Sequence, residues 1–409
     1  MKQSGFTDGR RGRKRRHIGN TILAWCLVIA AVAVVAFAGF QIFRAMGYRS
    51  LRNSALSEGP QLGLEEESRE ADAEKAGTGP EASDSEEANK TESEEEPTET
   101  ALPEPEEEEV LSVPWQSDWV RYGGKVYDYN DDILTFLFLG IDKLEPVERS
   151  KDLVSGGQSD AIFLAVLNPD TKEISIIGVN RDTMVDIFLA GYTDNNGNTL
   201  TTTAQLAVQH GFGDGLEQSC ELSRNAVSKL FYNLPIHGYV SFNMGGVAAL
   251  NDALGGVQVT VLEDLTKVNP AWTQGTVVTL AGQDAYNYVH YRDLTIFESA
   301  RNRLARQKQY LSCAAAAALD GIKKDLTLPI TLYQAFQPYI VTDLSVDEIT
   351  YLATVVSGYS FDPAAIYTLE GSTVRGEKFE EFYPDQAALK DLIIRLFYRE
   401  IDPTTGGPV

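Results

Sequence analysis

Asp142 ends the segment LGID, Asp160 immediately precedes the apolar run in GGQSDAIF, and Arg181 and Asp182 follow the run before them in GVNRDT. Each charged position follows or precedes a short apolar run, and buried strands of α/β proteins gather their functional groups at such ends. One Asp alone is explained by a turn, and one Arg-Asp neighbour pair by a solvated surface couple. Three charged strand ends are harder to dismiss, because neighbouring strands bring them together. Asp142 and Asp160 offer oxygen ligands of the kind a hard divalent cation takes, most simply magnesium. A second constellation lies in YVHYRDLTIFESARNRLARQ, residues 288 to 307, where Arg292 ends an apolar stretch read here as strand-like. Arg303, Arg306 and Gln307 stand at i, i+3 and i+4, so Arg303 and Gln307 share a helix face. Basic side chains converging on a metal suit a phosphoanhydride, whose transfer depends on positioning and on neutralising charge that shifts onto oxygen. The plainer reading is a basic helix surface in water, and charge alone does not separate the two.

Among the elements that must position these residues, ILTFLFL (133–139) is continuously apolar, as a strand buried on both faces must be. Ala161–Leu167 and Ile174–Val179 are joined by NPDTKE, a turn sequence, and form an expected β-hairpin. Helical spacing follows over Leu216–Phe231 and Gly245–Leu254, with strands at Tyr239–Met244 and Val257–Val261, and a long Ala-rich helix over Arg301–Leu319. Residues 325–400 read as helices plus one short strand. The expected fold is α/β, an αβα sandwich around a central mixed sheet.

The formal net charge of -24 is unevenly spread. Residues 1–20 carry seven Lys/Arg against Asp8, whereas residues 58–109 carry 21 Asp/Glu against Arg69, Lys75 and Lys90. Between them Thr21–Phe43 is 23 residues without a charge, long enough as a helix for a hydrocarbon core of roughly 30 Å. The basic cluster before it predicts a single-pass anchor in the cytoplasmic membrane, with the N-terminus inside and the rest of the chain outside. Topology and anionic headgroups account for the basic tail, so no nucleic-acid partner is expected. The expected organisation is a tail (1–20), a transmembrane helix (21–43), a disordered acidic linker (44–112) giving reach, a main domain (113–320) and a C-terminal extension (321–409) closing that domain or appended to it. Three cysteines and four histidines have no zinc-site spacing. Cys220 and Cys313 fall outside the membrane, where a disulfide is allowed, but their spacing does not establish one.

LGID, QSDAIFLAVLNPDTKEISIIGVNRDT, IHGYVSFNMGGVAALNDALGGVQVTV, LAGQDAYNYVHYR and RLARQ, taken in order from about residue 133 to 319, resemble the LytR-CpsA-Psr family. The resemblance implies an extracytoplasmic phosphoglycosyl transferase. Such an enzyme moves an anionic glycopolymer from a polyprenyl-pyrophosphate carrier to a muramic-acid hydroxyl of peptidoglycan, with pyrophosphatase action as a side activity. It implies Mg2+ on Asp142 and Asp160, and pyrophosphate oxygens held by Arg181, Arg292, Arg303 and Gln307, with His290, Arg306 and Asp182 as further substrate contacts. An apolar interior would hold the lipid. Two positions depart from the family pattern: His290 replaces an Arg, and Ala300 replaces an Asp that would serve as base, leaving Asp293, Glu298 or Asp182 to substitute. A non-catalytic carrier-binding protein and an envelope regulator are the alternatives, although the tail has no foldable DNA-binding unit.

Overall fold

The computed structural model describes residues 41, 44–54, 59–63, 113–116 and 118–409, apart from 153, 195, 294, 298, 326 and 357. Glu298 and all of Thr21–Phe43 except Gln41 thus lie outside the described residues. Among the described residues no helix is long and apolar enough to cross a membrane.

A six-stranded sheet forms the centre, in the order Ile340–Thr342, Gly238–Asn243, Leu134–Ile141, Ser159–Asn168, Glu173–Val179, Ser360–Thr368. Leu134–Ile141 pairs antiparallel with Ser159–Asn168 and parallel with Gly238–Asn243, so the sheet is mixed as expected. The NPDTKE turn does join an antiparallel pair. Alternate side chains along these strands face two different environments. On one face Leu137, Leu139, Ile162, Leu164 and Ile177 pack against the helices Glu217–Leu230 and Gln386–Phe397 in a continuous core. The opposite face carries Phe136, Phe138, Ala161, Phe163, Ala165 and Leu167, and lines a cavity of about 500 Å³. The helices Gly246–Ala253, Ser299–Lys324, Leu328–Phe336 and Val346–Val356 also supply its lining.

Three expectations need correction. Of the two arrangements expected for residues 321–409, the closing one is found: Ile340–Thr342 and Ser360–Thr368 form the two edges of the central sheet. Among the described residues this region holds five strands rather than one, because its exposed strands Gly371–Arg375 and Glu380–Pro384 lack the apolar runs that betray buried ones. The stretch before Arg292 is the helix Gln283–His290, with Ala285, Tyr288 and Val289 on its buried side. The boundary of the acidic linker is also wrong. Residues 44–54 are helical, with Leu51 fully buried beside Leu134 and Phe136. Leu62 belongs to the main core, and Val113 packs on Trp119, Val126 and Ile401. Docked chain therefore lies on both sides of the acidic stretch. Cys220 and Cys313 are both free, the former buried beneath the sheet and the latter packed in a different cluster.

Candidate active site

The site begins with an irregularity in the sheet. Gly140 pairs with Ala161 and Ile141 with Ser159, so the ladder skips Asp160. A bulge of this kind re-aims the extra side chain, and here it turns a carboxylate into a ring of cations. Asp160 Oδ1 accepts from Arg181 Nη1, and Oδ2 accepts from Arg303 Nη1 at 2.7 Å, with His290 Nε2 at 3.7 Å. Arg181 lies just past Glu173–Val179 in a turn where Asn180 Oδ1 accepts from the Asp182 amide. Its second terminal nitrogen donates to Gln158 Oε1 at 2.5 Å, and the Gln158 amide donates to Asp142 Oδ1 at 2.6 Å. Sequence reasoning missed Gln158, which ties the Asp142 strand end to the Arg181 turn.

Asp182, 1% exposed, accepts from Gln205 Nε2 at 2.9 Å and lies 3.3 Å from both Arg181 Nε and Arg292 Nη2. Burial pushes its carboxyl above the ordinary range, outweighing the downward pull of Arg181, Arg292 and Arg303. The same Arg292 nitrogen donates to Glu380 Oε2 at 2.7 Å, while Arg292 Nε donates to Ser299 Oγ at 2.8 Å. Glu380 was also missed. It arrives on the C-terminal hairpin, held in place where the Phe382 amide donates to the Asp182 carbonyl at 2.9 Å. Only long-range pairing locates it, and no local spacing signals that.

Arg303 is 3% exposed on the Ser299–Lys324 helix, and burial pulls its guanidinium down to about 10. Its Nη2 is buried without a hydrogen-bond partner among the described residues. A buried unpaired donor on a cation is costly unless an anion completes it. Gln307 Nε2 donates to the Asp160 and Val289 carbonyls at 3.3 and 3.2 Å, locking the bulge to the preceding helix. Arg306 departs from the substrate-contact expectation. Its terminal nitrogens donate to the Tyr288 and Tyr291 carbonyls and its Nε meets Glu263 at 3.0 Å, so it caps the end of Gln283–His290. His290 stacks on Tyr286 with ring centres 4.7 Å apart. Burial lowers its pKa more than Asp160 raises it, so it is not a full charge substitute for Arg near neutrality.

Among the described residues no group of three or more His, Cys, Asp or Glu could hold a metal ion. Of the two carboxylates expected to share magnesium, Asp160 is engaged by Arg181 and Arg303, and Asp142 accepts from the Gln158 amide. Of the candidate bases, Asp293 is held down to about 2 by Lys267, 2.6 Å away, and by Thr295. Ala300 is buried. Two cavities flank the Arg303 helix, and the cluster borders the first through Gln307. The apolar one begins at Ala161 and Gln307. A more polar one of about 670 Å³ lies along the other flank of the Arg303 helix, lined by Asn180, Arg301, Lys308, Glu370 and Thr373 among others.

A teichoic acid transferase, "Polyisoprenyl-teichoic acid--peptidoglycan teichoic acid transferase TagU" of Oceanobacillus iheyensis, is 30% identical over 254 residues, covering 60% of this chain and 70% of its own. The Enterococcus faecalis protein of the same name is 28% identical, covering 55% of this chain and 66% of its own. The crystal structure of protein gbs0355 from Streptococcus agalactiae shares the fold at a TM-score of 0.52 and 19% identity, covering 64% of this chain and 86% of that one. Residues 82–393, well over half of the sequence, match the LytR_cpsA_psr family, and the chain belongs to that family.

Proposed function

We propose that this protein is a membrane-anchored phosphoglycosyl transferase, moving an anionic glycopolymer of the teichoic-acid class from a polyprenyl-pyrophosphate carrier to peptidoglycan. The observation that carries this reading is the junction at Asp160. Arg181, Arg303 and His290 converge there, Arg292 joins them through Asp182, and one wall of the junction continues into an apolar cavity. A charged head with a long hydrocarbon tail fits that combination and little else does. The TagU names of the relatives support the same chemistry.

Arg181, Arg303 and Arg292 would bind the pyrophosphate oxygens, with Arg303 Nη2 already lacking a partner. Magnesium held by Asp142 and Asp160 would neutralise charge on those oxygens. An acceptor hydroxyl, its sugar lying in the polar cavity, attacks the phosphorus that bears the glycopolymer. The bond to the bridging oxygen breaks, polyprenyl phosphate leaves, and the hydroxyl proton passes to the Asp182–Glu380 pair on Arg292. Gln307 and Arg306 serve by holding the Asp160 bulge and the neighbouring helix end. The full chain in lipid discs should release polyprenyl phosphate in a magnesium-dependent reaction, and Arg181→Ala should slow it by about 10²–10³. Carrier binding without release by the wild type would favour the non-catalytic reading, which Ala300 keeps in view.

A further inference from the structure

The Val346–Val356 helix exposes one face made of Val346, Ile349 and Ala353, with no charge on it, while Val356 at its end lines the apolar cavity. Val346 is 77% and Ile349 46% exposed. Apolar residues at i, i+3 and i+7 form a helical stripe that ordinarily faces a core. The opposite side of the same helix is spoken for: Leu352 lines the apolar cavity, and Tyr351 meets Tyr48 with ring centres 5.4 Å apart. Tyr48 belongs to the docked segment 44–54, which follows the apolar run Thr21–Phe43 directly.

The docking is close and leaves little slack. A Cβ on Gly47 would stand 2.2 Å from the Asp347 carbonyl oxygen, so only glycine lets these backbones meet there. Leu51 is fully buried, Ser54 Oγ donates to the His237 carbonyl at 2.6 Å, and Arg52 pairs with Asp131 and Asp132 at 2.6 and 3.0 Å. Three residues, 44–46, all helical, separate Phe43 from Gly47, so at helical rise the two positions are about 6 Å apart. If the run spans the bilayer, the domain at this point cannot stand further off than that. Arg44 and Arg49 are exposed beside the junction, where anionic headgroups would meet them.

We infer that the exposed Val346, Ile349 and Ala353 face rests on the outer surface of the lipid bilayer, with the N-terminal end of the docked helix beside it, so that the end of the apolar cavity remote from Asp160 opens at the membrane. The cavity-lining side chains of one strand run from Ala161, beside the arginines, to Leu167, about 20 Å away. Leu167 shares a cluster with Leu51, Tyr351 and Leu352. A carrier tail could then enter from the bilayer without crossing water, with the head at the far end and the acceptor cavity further still. This inference rests on the anchor reading in the proposed function.

The test uses the full chain in vesicles containing brominated phospholipids, with Ile349→Trp and Val374→Trp as reporters. Val374 lies on the C-terminal Gly371–Arg375 strand, in the hairpin that carries Glu380 to the site, and is 44% exposed. The emission added by Ile349→Trp should be quenched several-fold more than that added by Val374→Trp, and Gly47→Val, which undocks the helix, should abolish the difference. Equal quenching of the two reporters in a chain that floats with the vesicles would overturn the membrane-resting face alone. A chain that does not float with the vesicles would overturn the anchor reading and this inference with it.

Discussion

The two faces of the central sheet share strands and yet do opposite things. Leu164, 0% exposed, is packed between two helices, whereas its neighbour Phe163 looks into the cavity. The difference is one of volume rather than polarity. On the sealed face large aliphatic residues succeed each other as Ile162, Leu164 and Val166, while on the hollow face Ala161, Phe163, Ala165 and Leu167 alternate small with large. A close-packed core gives stability, and the alternating face gives that up for room. If that division is correct, Leu164→Ala should cost about 2–5 kcal/mol in a denaturant titration. Phe163→Ala should cost less than half as much, since part of its ring already borders space. Equal losses would erase the comparison.

A second difference concerns polar groups. The sealed side also buries His237, whose Nδ1 accepts from the Thr135 amide at 3.1 Å and so carries no proton there. Burial holds its pKa down to about 4, and His210 is likewise held to about 4. In the unfolded chain both histidines titrate near 6.5, so between pH 6.5 and 4 the unfolded state binds more protons. Stability is therefore fully present above pH 6.5 and falls as pH drops toward 4, by on the order of 3 kcal/mol for each histidine at the lower limit. His237→Asn, whose side-chain oxygen can accept the same amide, should flatten part of that slope in thermal melts run from pH 7 to 4. An unchanged slope would mean that His237 is not neutral and buried as described.

How much of this was legible beforehand follows from the same contrast. Continuous apolar runs revealed the central strands because both faces are shielded, but a run of hydrophobic letters does not say which face is hollow. The strand-end residues Asp142, Asp160 and Arg181 were readable, since each breaks an apolar run abruptly. Gln158 and Glu380 were not: one is a neutral residue in a loop, and the other reaches Arg292 across 88 residues. Arg306 misled for the opposite reason. It was expected among the substrate contacts as a basic residue beside Arg303 and Gln307, but its i+3 spacing turns it about 60° away from Arg303 around the helix, toward the open carbonyls of Gln283–His290. Segments 44–54 and 59–63 were absorbed into the acidic linker because charge dominated the window that contained them.

The smallest expected effect is also the one most specific to the hollow face. Ala165 lines the cavity part-way between the Asp160 junction and the remote end, so Ala165→Met adds chain where a prenyl tail would lie. Excluding two methylenes from the cavity forfeits about 1.6 kcal/mol of carrier burial, a roughly tenfold weaker affinity for a long prenyl pyrophosphate. A carrier too short to pass Ala165 should bind unchanged, and the melting temperature should hold because the new side chain enters existing space. Val166→Met, one residue along and on the sealed face, should do the reverse, costing about 1–3 kcal/mol of stability by overpacking with carrier affinity preserved. The two variants place the same side chain at adjacent positions of one strand, so a common outcome for both would mean that the cavity is not where the lipid goes.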